Sequence, residues 1–144
     1  MRDYLYKVVE PSLVAGIEVF ARSDVWMRLD NLVIACSNFI IGPPFLMYDF
    51  HNSERKYSIC YPVTKKVEDS FVSTKVLGRF EVYSIFHYGS HDSIDTILCS
   101  FINMLNSIVD TSDITIREIY HEFYPENKSE NTTEIQVLIP FERE

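Results

Sequence analysis

The stretch ITIREIYHEFY-PENKSENTT-EIQVLIPF, residues 114–141, decides how this chain is read. Two runs rich in β-branched and aromatic residues, Ile114 to Tyr124 and Glu134 to Phe141, flank the polar segment Pro125 to Thr133. That pattern predicts two antiparallel strands joined by a loop. Upstream, Ile94, Ile97, Leu98, Phe101, Leu105 and Ile108 recur at helical spacing, so an amphipathic helix is expected there. Gly89 to Ser93 reads as the turn before it, and Phe71 to Tyr88 as another strand-forming run. The second half is therefore strand, helix, strand, loop, strand.

The first half repeats this order. Tyr6 to Phe20, interrupted by Pro11, reads as a long and largely buried strand. Ser23 is placed to cap a helix, with Asp24 favourable at its positive end. Val25, Trp26, Leu29, Leu32, Val33 and Cys36 give that helix one apolar face, and Gly42-Pro43-Pro44 ends the element. Two short strands follow, Phe45 to Phe50 and Tyr57 to Pro62, joined by the polar hairpin loop His51 to Lys56. A charged crossover, Lys65 to Asp69, separates the halves. Tyr48 and Tyr120 fall at matching places 72 residues apart, and Pro62 and Pro140 close the two final strands at a similar offset. The expectation is one α+β domain over residues 1–144, made of two tandem βαββ units at about 1–66 and 67–144. Each unit has an apolar face to bury against the other.

Composition narrows the function. A chain of 144 residues can bury a core without disulfides or metals to staple it. Its net charge of −8 argues against a nucleic-acid partner, because phosphate binding needs clustered Lys and Arg. The one basic pair outside a mixed-charge run, Lys65-Lys66, is followed after Val67 by the acidic pair Glu68-Asp69. Cys36, Cys60 and Cys99 are dispersed in apolar segments and read as buried, reduced thiols of a cytosolic protein. Met1 to Tyr4 leads into a β pattern and not a signal peptide, so the glycosylation acceptors Asn127 and Asn131 carry no weight. No apolar run reaches membrane-spanning length. Phosphate-binding glycine loops, metal-ligand spacings and nucleophile elbows are all lacking, so neither cofactor nor metal is expected.

What remains is an aromatic excess. Nine Tyr, ten Phe and one Trp make 14% of the chain, and Tyr buries its ring where the hydroxyl finds a partner. A wet, aromatic-lined cavity would use such residues. Strand alternation puts Glu118, Tyr120, Glu122 and Tyr124 on one face if no bulge intervenes. Spacing alone leaves open whether that face meets solvent or a pocket.

The residues Arg117-Glu118-Ile119-Tyr120, the closing strand Thr133-Glu134-Ile135-Gln136 with Pro140, the turn His87-Tyr88-Gly89 and the early Val14-Ala15-Gly16 resemble the GyrI-like (gyrase-inhibitor-like) or AraC-type effector-binding domains. The resemblance spans nearly the whole chain. It implies two strand–helix–strand–strand units related by a pseudo-two-fold axis, with antiparallel sheets and two long helices around a central groove. It further implies a ligand that is a flat, hydrophobic, often cationic compound, met by aromatic rings and a buried acid. Glu118 matches the glutamate of the family's Glu-x-Tyr motif and Tyr120 its tyrosine. A carboxylate in an apolar groove is costly to desolvate, which a lipophilic cation would compensate. His91 stands where the family usually has Tyr. Further groove candidates are Tyr48, Phe50, Trp26, Phe86, Tyr88 and Glu122, for each of which core packing or a solvated position competes.

The resemblance also carries alternatives. Glu118 and Tyr120 could act as base and hydrogen-bond donor in a hydrolase of reactive electrophiles. The acidic chain could instead act on a protein partner such as DNA gyrase or a transcription regulator. A haem-carrying role would rest on a single axial His.

Overall fold

The computed structural model describes residues 4–52, 54–124 and 127–141. The run expected as one strand before the first helix is two, β1 (Leu5–Val9) and β2 (Ser12–Val19), with Pro11 in the break. Helix α1 (Val25–Cys36), β3 (Phe45–Asp49) and β4 (Tyr57–Pro62) complete the first half. Then come β5 (Ser73–Leu77), β6 (Phe80–Tyr88), α2 (Ile94–Leu105), β7 (Thr115–Glu122) and β8 (Thr132–Pro140).

The strands form one open sheet in the order β1-β6-β8-β7-β3-β4-β2-β5, with every pairing antiparallel. Outward from the central β7–β3 seam the two sides mirror each other. On one side lie β7, β8 and β6, which belong with α2. On the other lie β3, β4 and β2, which belong with α1. The outermost strands are exchanged: β1, which leads into the first unit, pairs with β6 of the second, and β5 pairs with β2 of the first. The halves thus share a single sheet instead of stacking two.

Alternation gives the sheet two different faces. Leu46, Tyr48, Ile59, Ile116, Tyr120, Ile135 and Val137 turn toward the helices and meet Val25, Leu32 and Cys36 of α1 and Ile94, Leu98, Phe101 and Leu105 of α2. The opposite face buries Val14, Phe45, Met47, Cys60 and Leu77 in a smaller cluster. Gly16 is required where β2 pairs with Cys60 of β4, since a Cβ there would lie 2.7 Å from Cys60 Sγ and 3.0 Å from the Ile59 carbonyl oxygen.

Two local expectations change. Ser23 does not cap α1: residues 22–24 form a 3-10 turn, and Asp24 takes the cap position without a side-chain bond. Cys36 and Cys60 are buried, and burial pushes the Cys60 thiol up to about 12, but Cys99 lies exposed on α2. A helix has an outer face even inside an apolar segment, and Cys99 follows directly after the inward-facing Leu98.

Candidate functional site

The site starts from one residue in the wrong company. Across six strands, Ile17, Ile59, Leu46, Glu118, Ile135 and Ile85 lie side by side on the helix face. Five are aliphatic and the sixth is a carboxylic acid with no exposed surface. Burying an unpaired carboxylate is prohibitive, so its partners define the local structure.

Four donors meet it. Arg22 Nε donates to Glu118 Oε1 at 3.0 Å and Arg22 Nη2 to Oε2 at 2.7 Å, a two-pronged pairing. The Tyr48 hydroxyl donates to Oε2 at 2.5 Å and the Tyr120 hydroxyl to Oε1 at 3.0 Å. Each oxygen therefore accepts two bonds, which fills a carboxylate's acceptor directions. Tyr48 also accepts from Arg22 Nη2 at 3.2 Å, and its ring lies beneath the Arg55 guanidinium at 4.9 Å. Burial and then the Glu118 charge push both phenols far above their ordinary range, so they stay protonated donors.

Arg22 reaches outward as well. Its Nη2 and Nη1 donate to Asp95 at 3.0 and 3.3 Å. Asp95 opens α2, and its side chain is 60% exposed. Desolvation alone would lower the Arg22 pKa, but the bonds to Glu118 and Asp95 outweigh it and raise the value. The Arg22 hydrogen bond in turn holds the Asp95 carboxyl below its ordinary range.

Beside this charge network stand stacked rings. Trp26 and Phe123 lie face to face with centroids 3.5 Å apart, and Trp26 tilts against Tyr120 at 5.1 Å. His91 stacks on Tyr120 at 5.0 Å and on Trp26 at 5.7 Å, while its Nε2 lies 3.2 Å from Thr133 Oγ1. Burial lowers the His91 pKa, Arg22 and His87 push the same way, and Glu118 opposes them. An open cavity of about 590 Å³ faces these groups, lined by Arg22, Trp26, His91, Asp92, Asp95 and Phe123 among others.

The sequence candidates divide accordingly. Glu118, Tyr120, Tyr48, Trp26 and His91 are brought together. Glu122 leaves because the register slips between Tyr120 and Glu122, one extra residue on β7 that reverses every later side chain. Glu122 then accepts from Thr132 and Tyr124 at the surface, while Phe123 enters the ring stack. Phe86 and Tyr88 share their register rows with Glu134 and Thr132 and so lie on the opposite face, Tyr88 71% exposed. Phe50 sits half-buried beyond the end of β3 beside Arg55.

Arg22 and Asp95 were not among the candidates, nor was Phe123. A signal for Arg22 did exist: each lies three residues before the first residue of its helix, 69 positions apart, so Arg22 is the first half's counterpart of His91. Among the described residues no group of His, Cys, Asp and Glu could hold a metal ion, and no helix is long and apolar enough to cross a membrane.

The arrangement of eight strands and two helices is that of the GyrI-like fold, the one that the sequence motifs resemble. No family model and no curated protein matches the chain, whereas solved structures do. SAV2435, solved bound to tetraphenylphosphonium, is similar at TM-score 0.74 and 10% identity, covering 96% of this chain and 94% of that one. The EcmrR C-terminal domain is similar at TM-score 0.72 and 14% identity, covering 96% and 98%. EcmrR in its complex with DNA also matches, with this chain spanning 57% of it. A hydrolase encoded by lin2189 from Listeria innocua is similar at TM-score 0.67 and 12% identity, covering 94% and 91%.

Proposed function

We propose that this chain is an effector-binding protein that captures lipophilic, aromatic cations between the starts of its two helices. The observation that carries the reading is Glu118, a carboxylate with no exposed surface set in an aliphatic row and ringed by Tyr48 and Tyr120. Trp26, His91 and Phe123 supply ring faces, which attract a delocalised cation as well as its aryl groups. The cavity wall carries Asp92 and Asp95 against Arg22, with Glu118 behind, so acidic groups outnumber basic ones there. The tetraphenylphosphonium bound by SAV2435 is a ligand of this chemistry.

A hydrolytic role is less well supported. Glu118 would have to activate a water, and four protein donors already fill its acceptor directions. Calorimetric titration with tetraphenylphosphonium tests the reading. Wild type is expected to bind, and Glu118→Gln to bind at least about tenfold more weakly, a loss of one charge–charge interaction. Equal affinity in the two proteins would remove Glu118 from the site.

A further inference from the structure

The cavity and the carboxylate do not touch. Arg22, Trp26, His91 and Asp95 are on the cavity wall, whereas Glu118, Tyr48 and Tyr120 are behind it. The group that separates them is the Arg22 guanidinium, which fills with its own charge the place a ligand cation would take over Glu118. We propose that Arg22 is a tethered, exchangeable counter-ion: it holds the cation position over Glu118 and swings onto Asp95 when a cationic ligand enters. The proposal rests on the cation-binding reading above and adds to it the residue that sets which cations succeed.

Three features of the geometry favour exchange over permanent pairing. Arg22 belongs to the 3-10 turn of residues 22–24 before α1, not to the sheet that fixes Glu118. Its guanidinium already bonds both inward, to Glu118 and the Tyr48 hydroxyl, and outward, to the exposed Asp95. Rotation outward keeps the Asp95 pair while releasing the Glu118 pair. Glu118 is then never left without a positive partner, because the ligand's charge replaces that of Arg22 as it leaves. A stepwise route through an empty site would instead strand a buried charge.

Selectivity follows. A ligand must outcompete a guanidinium that is covalently held at the site, so small hydrated cations fail. Aryl cations succeed because they add ring contacts to Trp26, His91 and Phe123 while they replace the charge. A neutral aromatic can use the rings but has nothing to exchange for Arg22.

Tetraphenylphosphonium titration of wild type, Arg22→Ala and the double variant Arg22→Ala/Glu118→Gln reads the competition directly. Removing the tethered competitor is expected to tighten binding by about tenfold or more, as for any occupied site that is vacated. The gain should vanish in the double variant. Equal or weaker binding by a folded Arg22→Ala protein overturns the proposal and leaves the cation-binding reading standing. Binding by Arg22→Ala alone, with none by wild type, makes Arg22 a permanent occupant and overturns exchange. Binding by neither sinks both. Should Arg22→Ala fail to fold, nitrogen-15 side-chain spectra of wild type decide, with the Arg22 Nε–H resonance assigned by its loss in Arg22→Lys. That proton, buried against Glu118, should exchange slowly with solvent in the free protein and rapidly once phosphonium saturates the site. An unchanged Arg22 resonance in a saturated complex contradicts the exchange.

Discussion

Leu46 and Glu118 occupy corresponding points of the two strand–helix–strand–strand units and face each other directly across the β3–β7 seam. Both have no exposed surface. Leu46 is satisfied by burial alone, at a benefit of roughly 2 kcal/mol. Glu118 in the same environment needs Arg22, Tyr48 and Tyr120 around it. The helix entries differ in the same way. His91 reaches the seam from the second half and remains a stacked ring, whereas Arg22 reaches it from the first half and brings a charge. A repeated architecture has therefore been specialised by putting the carboxylate in one half and its counter-ion in the other.

Making the halves alike should have the largest effect. Leu46→Glu places a second carboxylate beside Glu118 without a second arginine, and a loss above about 4 kcal/mol in urea unfolding is expected, or no folded protein at all. A stable Leu46→Glu protein would break the comparison. Next come the two helix-entry residues. Arg22→Ala should cost about 3 kcal/mol, since it leaves a buried carboxylate short of its counter-ion, against about 1 kcal/mol for the loss of ring contacts in His91→Ala. Similar losses from both would mean that Glu118 does not depend on Arg22.

The turns before the helices sharpen the comparison further. Gly89 has φ +132°, a conformation that side chains avoid, while its counterpart Phe20 is 84% exposed in ordinary backbone. Gly89→Ala is expected to lower stability by about 1 kcal/mol or more, and Phe20→Ala to change it by less than about 0.5 kcal/mol. The smallest effect is that of pH. The folded His91 pKa lies below its ordinary 6.5, so the unfolded chain binds more protons as pH falls through that value. Stability is therefore fully present above about 6.5 and declines below it, down through the folded pKa. His91→Tyr should flatten that part of the curve of melting temperature against pH.

Much of the fold was legible because periodicity is a local property. The helical stripe of Ile94, Leu98, Phe101 and Leu105 and the alternation around Glu118 each follow from spacing, and the repeat follows from their order. Pairing across the sheet did not follow, since the exchange of β1 and β5 between halves depends on contacts distant in sequence. At the site, Glu118, Tyr120 and Tyr48 could be named from the motif and the repeat. Strict alternation puts Glu122 with them, and the one-residue bulge that turns it away leaves no clear mark in the sequence HEFY. Arg22 escapes a reading of the sequence because its one signal, the match to His91, depends on where each helix begins, and an arginine among 13 basic residues stands out only once the carboxylate it serves is known to be buried.

Cation capture requires the seam to prefer positive charge, and the chain's single tryptophan, Trp26, stands in the cavity wall to report it. The most direct measurement is the quenching of Trp26 emission by tetraphenylphosphonium and by tetraphenylborate, ions of nearly the same shape and opposite charge. Saturable quenching by the phosphonium, with none by the borate at the same concentrations, is the predicted result. Equal or stronger binding of the borate would contradict it, because the rings alone, and not the carboxylate at one side of the groove, would then select the ligand.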